Sequence, residues 1–90
     1  MGVRQTVEII NKRGLHARAS AKFVRTAAAF DAEVTVSKDG QTVDARSIMG
    51  LMMLAAGVGS TIDIEAEGAD AAAVVEALTD LIANRFDEGE

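Results

Sequence analysis

Apolar and polar residues alternate along "VRQTVEII" at residues 3–10, with Val3, Val7 and Ile9 on one side. That period of two predicts a strand, although Gln5 interrupts the apolar row. From Ala17 to Phe30 the period lengthens: Phe23, Ala27 and Phe30 recur at helical steps and turn one side of a helix toward a core, while Arg18, Lys22 and Arg25 fall on nearly the opposite side. "AEVTVSKDGQTVDA" alternates again, with Val34 and Val36 before Asp39-Gly40 and Val43 after it. An Asp-Gly pair between two such runs predicts a tight hairpin.

"RSIMGLMMLAAGVGS" opens on Ser47, a natural N-cap, and carries Ile48, Leu51, Met52 and Leu54 at helical spacing, with Gly57 and Gly59 expected to stop the helix. "TIDIEAEG" sets Ile62, Ile64 and Ala66 against Thr61, Asp63 and Glu65, the pattern of a half-buried strand. Asp70 is placed to cap a last helix from Ala71 to about Phe86, whose Val74, Leu78, Leu81 and Ile82 form its buried stripe. The acidic stretch 87–90 is expected to fray. The order βαββαβα with alternating strands predicts an α+β domain: an antiparallel sheet covered by helices on one face and wet on the other. A ferredoxin-like split βαβ shares the first six elements, and periodicity alone does not separate the two.

Composition narrows the class. Ninety residues without a linker or repeat are expected to form a single domain, 1–90, and the absence of cysteine removes disulfides and Cys-type zinc or redox sites. No apolar run approaches the roughly 20 residues that span a bilayer, and the N-terminal stretch lacks a basic leader before an apolar signal core. The expected compartment is the cytoplasm, with no membrane partner. A net charge of −5 and only three aromatic residues, all phenylalanine, argue against a nucleic-acid partner. The charge is uneven, however: Lys12, Arg13, Arg18, Lys22 and Arg25 share a stretch free of acids, which suits an anion or an acidic protein surface.

In "RGLHARAS" the single histidine, His16, follows Gly14 and Leu15 and stands where the first helix begins. Gly14 suits a sharp backbone turn, and His16 then occupies the N-cap or a neighbouring position. The free N–H groups of the first helical turn and the helix dipole make this end an anion site, with Ala17 and Arg18 supplying backbone donors. Such an environment is expected to favour neutral imidazole, whose free nitrogen can attack phosphorus. The Arg18 guanidinium would then meet the phosphoryl oxygens.

With "GLHARAS" followed by "RSIMGLMMLAAGVGSTIDIEAEG", nearly the whole chain resembles the HPr family, the histidine-containing phosphocarriers of the phosphoenolpyruvate-dependent phosphotransferase system. The resemblance implies an open-faced β-sandwich, a four-stranded antiparallel sheet with three helices on one face, and a carrier rather than an enzyme, with no cofactor or metal. It implies that His16 accepts the phosphoryl group on Nδ1 from enzyme I and passes it to an IIA-type protein, that Arg18 contacts the phosphate, and that Ser47 is the target of a regulatory kinase/phosphorylase. Ile48, Met49 and Met52 match the family's exposed apolar docking patch; Leu15, Ala21, Lys22 and Arg25 are expected to complete the partner surface, with Lys22, Arg25 and Arg18 guiding acidic partners to His16, and the chain is expected to be a monomer. One position departs from the family pattern: Ala19 stands where "GLHARP" has proline. Two other readings stay open, a regulatory member signalling carbon or nitrogen status, and a small-ligand module using the "AGVGS" loop.

Overall fold

The computed structural model describes residues 2–88, and the strands and helices follow the expected order. Strands β1 (Gly2–Glu8), β2 (Glu33–Lys38), β3 (Gln41–Asp44) and β4 (Thr61–Glu67) form one antiparallel sheet in the order β1-β4-β2-β3. Helices α1 (Ala17–Ala28), α2 (Ile48–Met53) and α3 (Ala71–Ala83) pack on one face, giving the open-faced sandwich. The sheet order also resolves the ferredoxin-like alternative. A split βαβ puts its first and third strands in the centre, whereas here those two strands are the edges and β4 lies between β1 and β2.

The alternation read along the chain is the alternation of burial. Val34, Val36, Ile62, Ile64 and Ala66 point into a core closed by Phe23, Leu51, Val74, Leu78 and Ile82, all buried. Their neighbours on the other side of the pleat face water, where Thr6 Oγ1 bonds Asp63 Oδ1 and Arg4 pairs with Asp63 at 3.2 Å. The Thr6 hydroxyl, and after it Arg4, holds the Asp63 carboxyl below its usual value. Asp39 and Gly40 both take positive φ, 50° and 84°, the requirement of a type I′ hairpin between β2 and β3.

Four local expectations are corrected. Helix α1 ends at Ala28 with Ala29 as its C-cap, so Phe30 lies beyond it and is only partly buried. Helix α2 ends at Met53, before Gly57 and Gly59, because Ala55 turns left-handed at φ 51°. Asp70 sits at the N-cap of α3 without capping it; its Oδ2 instead accepts the Asp31 backbone N–H at 2.8 Å, tying the segment after α1 to the start of α3. Beyond Ala83 the chain forms a 3₁₀ turn, Arg85–Asp87, that encloses a buried Phe86, so α3 stops short of the expected Phe86. Gly89 and Glu90 lie outside the described residues.

Candidate functional site

The site is built on the turn between β1 and α1. Asn11 is fully buried: its carbonyl accepts the Gly14 N–H at 3.2 Å, and its side-chain Nδ2 donates to the Gly14 carbonyl at 2.9 Å. Gly14 takes φ 64°, and a Cβ there would lie 2.4 Å from the Ala56 carbonyl oxygen, which already accepts the Leu15 N–H at 2.9 Å. The loop after α2 is therefore a wall against which the turn is pressed. Its "AGVGS" backbone is committed to that packing, Gly59 N–H donating to the Ile9 carbonyl.

A Gly14→Ala substitution meets two penalties, roughly 1–2 kcal/mol for the left-handed backbone and roughly 1–3 kcal/mol for overpacking. Partial relaxation shares them, and denaturant unfolding should show a loss of about 2–4 kcal/mol. The displaced turn should disturb the His16 resonances with it.

This turn delivers His16 to the N-cap of α1, where the extended backbone (φ −75°, ψ −179°) aims Nδ1 at the helix and lets it accept the Arg18 N–H at 3.3 Å. The other ring nitrogen, Nε2, lies 2.6 Å from the Glu88 carboxylate, whose second oxygen is 3.5 Å from Asn11 Nδ2. Both side chains are largely enclosed, 18% exposed for His16 and 8% for Glu88. Arg18 is exposed on the same first turn. One ring nitrogen thus meets a carboxylate and the other meets a helix N-terminus, so the two have different chemistry. Neither Asn11 nor Glu88 was expected here; Glu88 lies 72 residues from His16 in sequence.

A family profile described as "PTS HPr component phosphorylation site" matches residues 3–84. The chain belongs to the HPr family. It is 57% identical over 88 residues to a phosphocarrier protein HPr of Neisseria meningitidis, covering 98% of this chain and 99% of the relative. It is 54% identical over 88 residues to one from Cupriavidus necator, with the same coverage of each chain. Among solved structures, HPr from Thermoanaerobacter tengcongensis superposes with a TM-score of 0.92 at 45% identity, covering 96% of this chain and 97% of that one.

In this HPr-family chain the residues expected at a partner surface are not all exposed. Ile48, Met49 and Met52 are exposed on α2, and Met53 extends the patch at 66% exposure; its step of four from Met49 was the overlooked signal. Arg25 is exposed and Ala21 half-buried. Leu15 is a correction: it is sealed into the core, because its backbone is tied to the wall at Ala56 and its side chain turns inward. Lys22 is half-buried and donates its ammonium to the Phe86 carbonyl at 2.5 Å, so its charge is engaged within the fold.

Ser47 caps α2 as expected, its Oγ accepting the Gly50 N–H at 2.9 Å. Asp44 prepares that cap by accepting the Arg46 N–H at 2.8 Å, a bond that with the Arg46 guanidinium holds the Asp44 carboxyl below its usual value. No helix among the described residues is long and apolar enough to cross a membrane.

Proposed function

We propose that this protein is a single-domain cytoplasmic phosphocarrier in which His16 Nδ1 takes a phosphoryl group from phospho-enzyme I and yields it to an IIA-type protein. The observation that supports the reading is the orientation of His16 at the α1 N-cap, with Nδ1 turned toward the first helical turn and accepting the Arg18 N–H. Ala17 and Arg18 supply backbone donors for the phosphoryl oxygens, and the Arg18 guanidinium a fork of further donors. Each such contact is modest when exposed, about 0.3–1 kcal/mol for the helix terminus. Modest hold suits a group that must be passed on.

Partners would seat on the apolar patch of α2, Ile48, Met49, Met52 and Met53, beside the exposed cations Arg18 and Arg25. Methionines adapt to more than one surface, which suits a carrier that meets a donor and an acceptor in turn. Ser47 adjoins this patch, and its phosphorylation by a regulatory kinase/phosphorylase would place a dianion there. Ser47→Asp keeps a good N-cap, so the helix should remain while acceptance from enzyme I slows several-fold, as measured by initial transfer rates.

The test is incubation with enzyme I, Mg²⁺ and phosphoenolpyruvate, followed by intact-mass and phosphorus NMR analysis. The expected result is one acid-labile phosphoryl group on His16 Nδ1. No label, from an enzyme I shown to phosphorylate another carrier, would overturn the reading.

A further inference from the structure

The segment after α3 takes no part in that chemistry as stated, yet it is the most strained stretch of backbone in the described residues. Arg85, Phe86 and Asp87 all take left-handed φ, 52°, 53° and 61°, and none is glycine. Backbone of this kind persists only where its surroundings over-determine it, and it clusters at functional sites. Besides the turn's own bonds, from the Asp87 N–H to the Asn84 carbonyl and from the Glu88 N–H to the Arg85 carbonyl, two contacts hold it here: the Phe86 ring is fully buried, and the Phe86 carbonyl takes the Lys22 ammonium. The residue they place is Glu88, whose carboxylate meets His16 Nε2 at 2.6 Å. On the opposite side of the ring Nδ1 is already an acceptor, from the Arg18 N–H. Neutral imidazole carries one proton. The Glu88 carboxylate can only accept and at 2.6 Å draws that proton to Nε2, while the Arg18 N–H at 3.3 Å is the longer and weaker of the two constraints on the ring.

We propose that Glu88 is a positioning residue for phosphoryl transfer, holding His16 in its Nε2–H tautomer so that the Nδ1 lone pair is kept for phosphorus, and that the left-handed turn 85–87 serves to place it. Asn11 braces the arrangement from beneath, bonding the Gly14 carbonyl and reaching the free oxygen of Glu88. The proposal rests on the phosphocarrier reading. In the uptake step the Nδ1 lone pair forms the new N–P bond while the bond from phosphorus to the donor's carrying group breaks, its electron pair staying on the donor. Nε2 keeps its proton, and the positive charge the His16 ring acquires lies against the Glu88 carboxylate. On the onward step the N–P pair returns to Nδ1. No proton has to leave or join His16 in either direction. In the other tautomer Nδ1 would carry the proton and be unable to attack.

Glu88→Gln is the discriminating variant, because an amide keeps the shape but can either accept from Nε2–H or donate to a bare Nε2, and so no longer chooses between tautomers. Nitrogen-15 NMR of the unphosphorylated protein should show the Nε2–H form in wild type and a mixture of tautomers in Glu88→Gln. Acceptance from phospho-enzyme I should fall roughly ten-fold, in line with other partners that orient a histidine from behind. A purely structural role would leave the tautomer unchanged. A wild-type nitrogen pattern in the variant, or a wild-type transfer rate, overturns the proposal. If wild type itself takes no phosphoryl group from active enzyme I, the carrier reading and the transfer role fall together, while the nitrogen pattern still decides whether Glu88 sets the tautomer.

Discussion

Replacing His16 with alanine is expected to abolish acid-labile phosphorylation altogether, with no slow residual uptake. The chain has no other histidine, so no second imidazole nitrogen is available to attack phosphorus. The loss should be chemical. His16→Ala forfeits an N-cap, a cost of about 0.5–2 kcal/mol, within the roughly 5–15 kcal/mol that holds a typical domain folded. His16→Asn separates the two roles, since asparagine is among the best caps and carries no nucleophilic ring nitrogen. It should melt near wild type and accept nothing from phospho-enzyme I. Uptake by either variant at the wild-type rate would place the acceptor elsewhere.

Phe86→Ala should be the most destabilising of the single substitutions considered, and the reason lies outside the regular elements. Phe86 is fully buried at the end of α3, and truncating a buried phenylalanine costs about 3–5 kcal/mol. For a chain of this size that lowers Tm by something on the order of 20 °C. The ring also offsets local strain. Three consecutive left-handed residues cost roughly 1–2 kcal/mol each, while a buried phenylalanine contributes about 1.5–3 kcal/mol and a hydrogen bond from a charged donor such as Lys22 about 1.5–3 kcal/mol. Without the ring the turn should relax to ordinary backbone and Glu88 should leave His16. Thermal unfolding measures the first effect and the His16 nitrogen spectrum the second. A variant that melts near wild type would show that Phe86 is not an anchor.

Strands β2 and β4 were legible in the sequence because burial there follows a strict period. Val34, Val36, Ile62, Ile64 and Ala66 alternate with polar neighbours, and Asp39-Gly40 announces its hairpin. The histidine's place was legible too, because a glycine, a lone histidine and a basic amphipathic helix occur within one short stretch. Its partner was not. Glu88 sits in a run of acids that reads as solvated charge, and the left-handed turn that redirects it falls on Arg85, Phe86 and Asp87, residue types that give no local sign of such a backbone. Asp70 misled for a related reason: a carboxylate placed for a cap was drawn instead to the Asp31 N–H, 39 residues away. Local chemistry fixed the possibilities at both acids, and tertiary contacts chose among them.

The separation of His16 from Glu88 also bears on the order in which the protein acquires competence during synthesis. β1 has no partner until β4 is made, since Gly2 pairs with Glu67, and a chain emerging from the ribosome therefore holds its histidine long before it holds a sheet. Later still, a nascent chain that has exposed everything through α3 has a core to fold around, but its imidazole proton is not yet held by Glu88. On the proposed role of Glu88, the full transfer rate should thus appear as a distinct late event after compaction, and a cut anywhere between Ala83 and Glu88 should return the molecule to that slower stage.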